Sequence, residues 1–192
     1  MKTAIIIHGM SDNKEEYFEM LESIKNKEGW HWLLWLKDEL VKKNILSQIS
    51  VMPEAYNPEY KSWKETFESF PLDEETILVG HSCGGGFIVR YLSENYVKVG
   101  KVVLVAPWID PDKYLKTGMF DFEIDENIVA KTKGITIFSS TDDMQEVQDS
   151  IKILKEKIKD IKVVEFQNYG HFCYNDMKTH EFPELLEEVV KL

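Results

Sequence analysis

The sequence predicts a chain of the α/β class: a three-layer α/β/α sandwich around a mostly parallel six-stranded sheet. Three observations carry that prediction. Short, mainly apolar runs recur along the chain, among them TAIII at residues 3–7, TILVG at 76–80 and KVVLVA at 101–106. Strands buried on both faces of a parallel sheet have this character. Amphipathic stretches with apolar residues three and four apart separate these runs. Strand and helix then alternate throughout, so each right-handed crossover returns over the sheet and helices cover both faces.

The first strand is expected at residues 3–7, ended by Gly9. Residues 11–28 are polar and read as partly helical, with Ser11 or Asp12 as N-cap. Residues 30–43 (WHWLLWLKDELVKK) form an amphipathic helix with Trp32, Leu33, Leu36 and Leu40 in one stripe. A second strand is expected at 49–52, closed by Pro53. Residues 63–70 form a helix with Trp63, Phe67 and Phe70 on one face, stopping before Pro71. The third strand, 76–79, leads through a glycine-rich turn into a helix from Phe87, and 101–106 is the fourth. Residues 107–133 are the longest irregular region, with a helix near 126–131, and are too short for a full cap domain. The fifth strand falls at 134–140, a helix at 145–159 and the sixth strand at 161–166. A closing helix at 181–192 begins near Pro183, a favoured first-turn residue.

Composition narrows the function. With 192 residues, no internal repeat and no low-complexity linker, residues 1–192 are expected to be one domain. The net charge of −11 argues against a nucleic-acid or anionic-membrane partner. No apolar run approaches the ~20 residues of a membrane span, and the apolar start is too short for a signal peptide. Two cysteines, Cys83 and Cys173, are too few for a disulfide framework and suit a reducing cytoplasm, the expected location. No cofactor motif and no metal-ligand spacing stands out.

One stretch carries chemistry. Gly80-His81-Ser82-Cys83-Gly84 sits between a strand and a helix, the context in which Gly-x-Ser-x-Gly lifts a serine hydroxyl above a sheet. The alternative, a glycine-rich turn binding phosphate, usually brings a basic residue, and none lies between Glu75 and Arg90. A serine needs a base. His171, in NYGHF after the last strand, is the candidate; His81 points away from its neighbour and reads as structural. His8 lines the site or packs beneath it, and His31 and His180 read as ordinary. The base needs a carboxylate, and Ser139-Ser140-Thr141-Asp142-Asp143 offers two that spacing does not separate. The spare one caps the following helix or faces solvent. An oxyanion hole is expected from the backbone N–H of Cys83 and of Met10, with Gly9 permitting close approach. Cys83 as nucleophile is disfavoured because it follows the apex of the turn.

These pieces resemble the α/β-hydrolases, in particular the small, lidless serine-hydrolase family that includes retinoblastoma-binding protein nine and the bacterial YdeN-like proteins. The resemblance covers nearly the whole chain through AIIIHG, GWHWLLWLKDEL, TILVGHSCGG, KVVLVAP, FSSTDD and YGHF. It implies Ser82 as nucleophile, His171 as base and Asp143, the second aspartate of its turn, as the acid. The chain departs from the family just afterwards, with Met144-Gln145-Glu146-Val147 where a proline usually follows. The retinoblastoma-binding Leu-x-Cys-x-Glu motif is absent, so no such partner is implied. The expectation is a serine hydrolase for small esters, thioesters or amides, with no metal or cofactor. The alternatives are a low-turnover protein-binding module on the same scaffold, or an acyltransferase. Trp108, Tyr114, Met119, Phe120 and Phe122 are candidates for an acyl pocket, most of them expected in the core.

Overall fold

The computed structural model describes residues 2–26 and 31–191. The strands are β1 (Thr3–Ile7), β2 (Leu46–Ser50), β3 (Thr76–His81), β4 (Val102–Val105), β5 (Ile135–Ser140) and β6 (Lys162–Phe166). They form one sheet in the order β2-β1-β3-β4-β5-β6, with every pair parallel. The helices are α1 (Lys14–Asn26), α2 (Trp32–Lys42), α3 (Tyr60–Phe67), α4 (Cys83–Glu94), α5 (Gln145–Lys157), α6 (Tyr174–Met177) and α7 (Pro183–Val190). This is a three-layer α/β/α sandwich around an all-parallel sheet.

Topology follows from handedness. The crossover through α2 runs from β1 to β2, and the one through α3 runs back past β1 to β3. Right-handed connections in opposite directions put their helices on opposite faces. α2 accordingly packs with α7, where Trp32 meets Phe182 at 5.9 Å between ring centroids. On the other face α3 and α4 share Trp63, Phe67, Phe87 and Tyr91. The strand order reverses between β1 and β3, and ligands in open parallel sheets sit beyond the carboxyl ends at such a point.

Several boundaries move for physical reasons. β2 runs from Leu46 to Ser50, not from 49 to 52, because it is an edge strand whose buried positions include Ser47 and Ser50. Met52 lies off the sheet, its N–H donated to His8 Nε2 at 2.9 Å. α1 is capped by Asn13, not by Ser11 or Asp12: the Glu16 N–H donates to Asn13 Oδ1 at 2.9 Å. α3 starts three residues early and ends at Phe67, leaving Phe70 half-buried. The helix expected near 126–131 is a 3₁₀ turn over Ile128–Lys131. Of the helix expected at 30–43, Trp30 lies outside the described residues. The segment after β4 is pinned to α4 by Arg90, which stacks on Tyr60 at 3.7 Å and donates to the carbonyls of Gly118 and Met119.

The end of the sheet away from the loops after β1 and β3 carries a buried ion cluster. Glu188 of α7, 3% exposed, accepts from Lys101 Nζ at 2.9 Å and Thr136 Oγ1 at 2.8 Å, with Lys162 at 3.3 Å. Burial pushes its carboxyl up, but these hydrogen bonds and charges outweigh it and hold it at about 2. The folded chain therefore prefers the ionised form. That stabilisation, about 3 kcal/mol, is complete above the unfolded value of 4.5 and drains away as pH falls towards 2. Glu188→Gln is expected to cost about that much at pH 7, and the gap to the parent should shrink to about half in urea titrations at pH 3. A gap that stays constant would mean the charge is not what holds α7.

Candidate active site

Ser82 stands at the turn from β3 into α4 with φ 51° and ψ −121°. An L-residue reaches that region only under compulsion. The compulsion is visible: the Ser82 N–H donates to Val105 O at 2.9 Å, and Ser82 O accepts from Gly86 at 3.1 Å and Trp108 at 3.0 Å. Only glycine fits beside it. A Cβ on Gly84 would stand 2.7 Å from Ile7 O and closer still to His8 O. The turn leaves the Cys83 N–H in the first turn of α4, where helix donors have no partner within the helix. The Cys83 thiol itself is buried, which pushes it well above its ordinary range and keeps it un-ionised.

The loop after β6 delivers His171 to the same region. Its Nδ1 lies 2.9 Å from Asp143 Oδ1 and 3.2 Å from Oδ2. A carboxylate only accepts, so Nδ1 carries the proton and Nε2 keeps its lone pair. The Asp143 side chain is fully buried. Spacing left two aspartates open; geometry puts Asp143 against the imidazole. Asp142, exposed to solvent, has a second task. Its Oδ1 accepts from Ser140 Oγ at 2.5 Å and from the Gly170 N–H at 3.2 Å, tying the loop to the end of β5. The Ser140 bond, first among the causes, lowers the Asp142 carboxyl.

Met144 occupies the position at which the resemblance implies a proline. Its φ of −56° is close to the value a proline would impose, and its N–H, which a proline lacks, donates to Asp143 Oδ1 at 2.7 Å. The His171 loop is further held by Asp176 of α6, whose Oδ2 accepts the His171 N–H at 3.1 Å. Trp32 Nε1 donates to Phe172 O at 3.0 Å. His81 lies 2.9 Å from His171 O through Nε2. Sequence reasoning missed Asp176 and α6 altogether, since a four-residue helix leaves no periodic signal.

Ser82, His171, Gly9 and Met10 border one cavity of about 790 Å³, with Trp108 on its wall. Of the other aromatic and Met candidates for an acyl pocket, Met119 is core, Phe120 and Phe122 pack on the core, and Tyr114 is exposed. Gly9 approaches the serine closely: a Cβ there would lie 3.1 Å from Ser82 Cβ. Beneath it His8 is fully buried. Its Nε2 accepts from Met52, so Nδ1 bears the proton and donates to Gly9 O at 2.7 Å. His31 and His81 also border the cavity, their rings 4.8 Å apart. His31 is thus part of the site's wall, not the ordinary helix residue that the sequence suggested. His31, His81 and Cys173 come from three distant parts of the chain, yet one ligand atom from each lies within 4.8 Å of the others.

The profile of the serine hydrolase family matches residues 20–188. The chain belongs to the serine hydrolase family. The protein is therefore a hydrolase. Its fold is similar to that of the ydeN gene product from B. subtilis, with a TM-score of 0.77 at 24% identity over 97% of this chain and 96% of that one. A putative YdeN-like hydrolase from Pectobacterium atrosepticum is 16% identical, with a TM-score of 0.67 over 98% and 91% of the two chains. A monoacylglycerol lipase from Paleococcus ferrophilus is 15% identical, with a TM-score of 0.60 over 98% and 93%. No helix among the described residues of this hydrolase is long and apolar enough to cross a membrane.

The histidines around the hydrolase's cavity set its acid sensitivity. Burial lowers His8 to about 4 and His31 to about 3, and lowers His81 well below 6.5. In the unfolded chain each titrates near 6.5, so protons bind the unfolded state more tightly. Stability is then full above pH 6.5 and falls as pH drops towards 4. Denaturant midpoints are expected to decline through this window, above the one in which Glu188 acts, and His8→Asn should flatten the decline. An unchanged slope in that variant would exclude His8 as a source.

Proposed function

We propose that this serine hydrolase cleaves small esters, thioesters or amides through an acyl-enzyme, with Ser82 as nucleophile, His171 as base and Asp143 as the orienting carboxylate. The observation that carries the reading is the His171–Asp143 pair at 2.9 and 3.2 Å, with His171 and a serine held in a φ 51° elbow bordering one cavity. His171 Nε2 takes the Ser82 proton as Oγ attacks the acyl carbon. The imidazolium then gives that proton to the leaving group, and water repeats the sequence to release the acid. The cavity volume fits a small-molecule substrate. Two similar folds, the Paleococcus ferrophilus lipase and a Butyrivibrio proteoclasticus Est1E with bound ferulic acid, support esters as the first substrates to try.

The oxyanion is assigned to the N–H groups of Cys83 and Met10. The second assignment has a supporting argument in His8. A trans peptide holds its C=O and N–H on opposite sides. His8 Nδ1 draws Gly9 O into the core, which turns the Met10 N–H the other way, towards the cavity. A donor fixed before the reaction needs no reorganisation when charge develops. His8 is thus a positioning residue that touches no substrate.

Two outcomes test this. Ser82→Ala is expected to abolish labelling by a fluorophosphonate probe and to lower kcat on p-nitrophenyl esters by ~10⁴-fold or more; full labelling of that variant would refute the nucleophile. His8→Phe should lower kcat by up to ~100-fold with KM little changed, because only the transition state uses the hole. His8→Asn, whose amide reaches Gly9 O from a similar position, should recover part of the loss. Equal loss in both variants, or a loss confined to KM, would remove His8 from the mechanism.

A further inference from the structure

We propose that His31, His81 and Cys173 bind a borderline or soft metal cation, zinc in the first instance, in the wall of the cavity, and that its binding silences the hydrolase. Two imidazoles and a thiol are donors that zinc and copper(I) take in preference to magnesium or calcium, which seek oxygen. One ligand atom from each residue lies within 4.8 Å of the other two. Around tetrahedral zinc, with bonds of about 2.0 Å to nitrogen and 2.3 Å to sulfur, donors stand roughly 3.3–3.6 Å apart. Closing that gap asks for side-chain shifts of about 1 Å, without backbone rearrangement.

The donors are carried on anchored parts of the fold. His31 is the residue before α2, His81 ends β3, and Cys173 precedes α6. Trp32 packs on both rings, at 4.9 Å from His31 and 5.7 Å from His81. All three donors border the cavity, which supplies the entry path and leaves the fourth coordination position to water. Three protein ligands and one open position is the arrangement of accessible zinc sites. On binding, the Cys173 thiol gives its proton to solvent as the S–Zn bond forms. No electron is transferred.

Silencing follows from charge. The His171 ring centroid lies 4.9 Å from that of His81. Acyl transfer makes an imidazolium at His171, and a dication a few ångströms away opposes that charge. His81 also lies 2.9 Å from His171 O, so a metal that draws on His81 disturbs the base's own backbone. This consequence rests on the triad reading above; the binding does not.

The test begins with cobalt(II), an optical stand-in for zinc, added to the full chain. One equivalent is expected to give a thiolate-to-cobalt charge-transfer band that zinc then displaces. Cys173→Ser should lack the band and bind zinc at least ~10-fold more weakly, and His31→Phe should also lose affinity, since losing a ligand costs no less than losing its supporting partner. Circular dichroism of both variants checks that the fold is kept. With p-nitrophenyl acetate, zinc should inhibit the parent reversibly, with recovery in EDTA, and Cys173→Ser should resist when compared with its own metal-free rate. No thiolate band in the parent, or parental zinc affinity in both variants, overturns the site. A band without inhibition overturns the silencing. The titration needs no turnover, so a protein that shows the band yet hydrolyses nothing and takes no fluorophosphonate would count against the triad alone.

Discussion

The backbone at Ser82 is the constraint on which the rest of the site is built. A residue held at φ 51° and ψ −121° costs on the order of 1–3 kcal/mol and survives only where its surroundings over-determine it. Here β1, β3 and β4 meet to do so. Val105 of β4 accepts the serine N–H, the serine carbonyl is shared by Gly86 and Trp108, and Gly84 tucks against the end of β1. The same contacts that enforce the turn bring the loop after β1 beside the hydroxyl. The serine elbow and the close approach of the loop after β1 are thus two consequences of one packing event at the reversal of strand order.

The His171 loop is secured by a different logic, hydrogen bonds to the polar groups of its own neighbours. Asp142 and Ser140 reach from the end of β5, Asp176 from α6, and Trp32 from α2. Phe172 adopts a left-handed conformation within this net and stacks on Phe182, the residue before α7. An imidazole on a loop would otherwise sample many orientations. Fixing the backbone on both sides of it, and its Nδ1 against a buried carboxylate, leaves Nε2 one direction in which to act.

The fold was legible in the sequence because its central strands are fully buried and therefore read as apolar runs. The edges were less so. β2 buries Ser47 and Ser50, so its alternation looked like a loop, and the strand was expected too late. Gly-x-Ser-x-Gly and the order of serine, acid and histidine were plain, since the turn can be made with few residues. The choice between Asp142 and Asp143 was not, because adjacent residues differ in direction and direction belongs to three dimensions. His31 was misjudged for a similar reason. Nothing in a helix that begins Trp-Leu-Leu-Trp-Leu shows that the residue before it will lie against His81, fifty positions on.

The electrostatics of the cavity give the arrangement its direction. The chain carries a net charge of −11, yet several titratable groups around the cavity that Ser82 borders are neutral. Burial strips His8, His31 and His81 of protons through the whole neutral range, and keeps the thiols of Cys83 and Cys173 un-ionised as well. Asp143 is the carboxylate in contact with the His171 ring, with its side chain removed from water. A positive charge on His171, as the proposed mechanism requires, would meet a buried carboxylate on one side and the uncharged His81 ring on the other. Three charged histidines would have cancelled that advantage. Keeping them neutral lets His31 and His81 border the same cavity as Ser82 and His171 while Asp143 stands against the His171 ring.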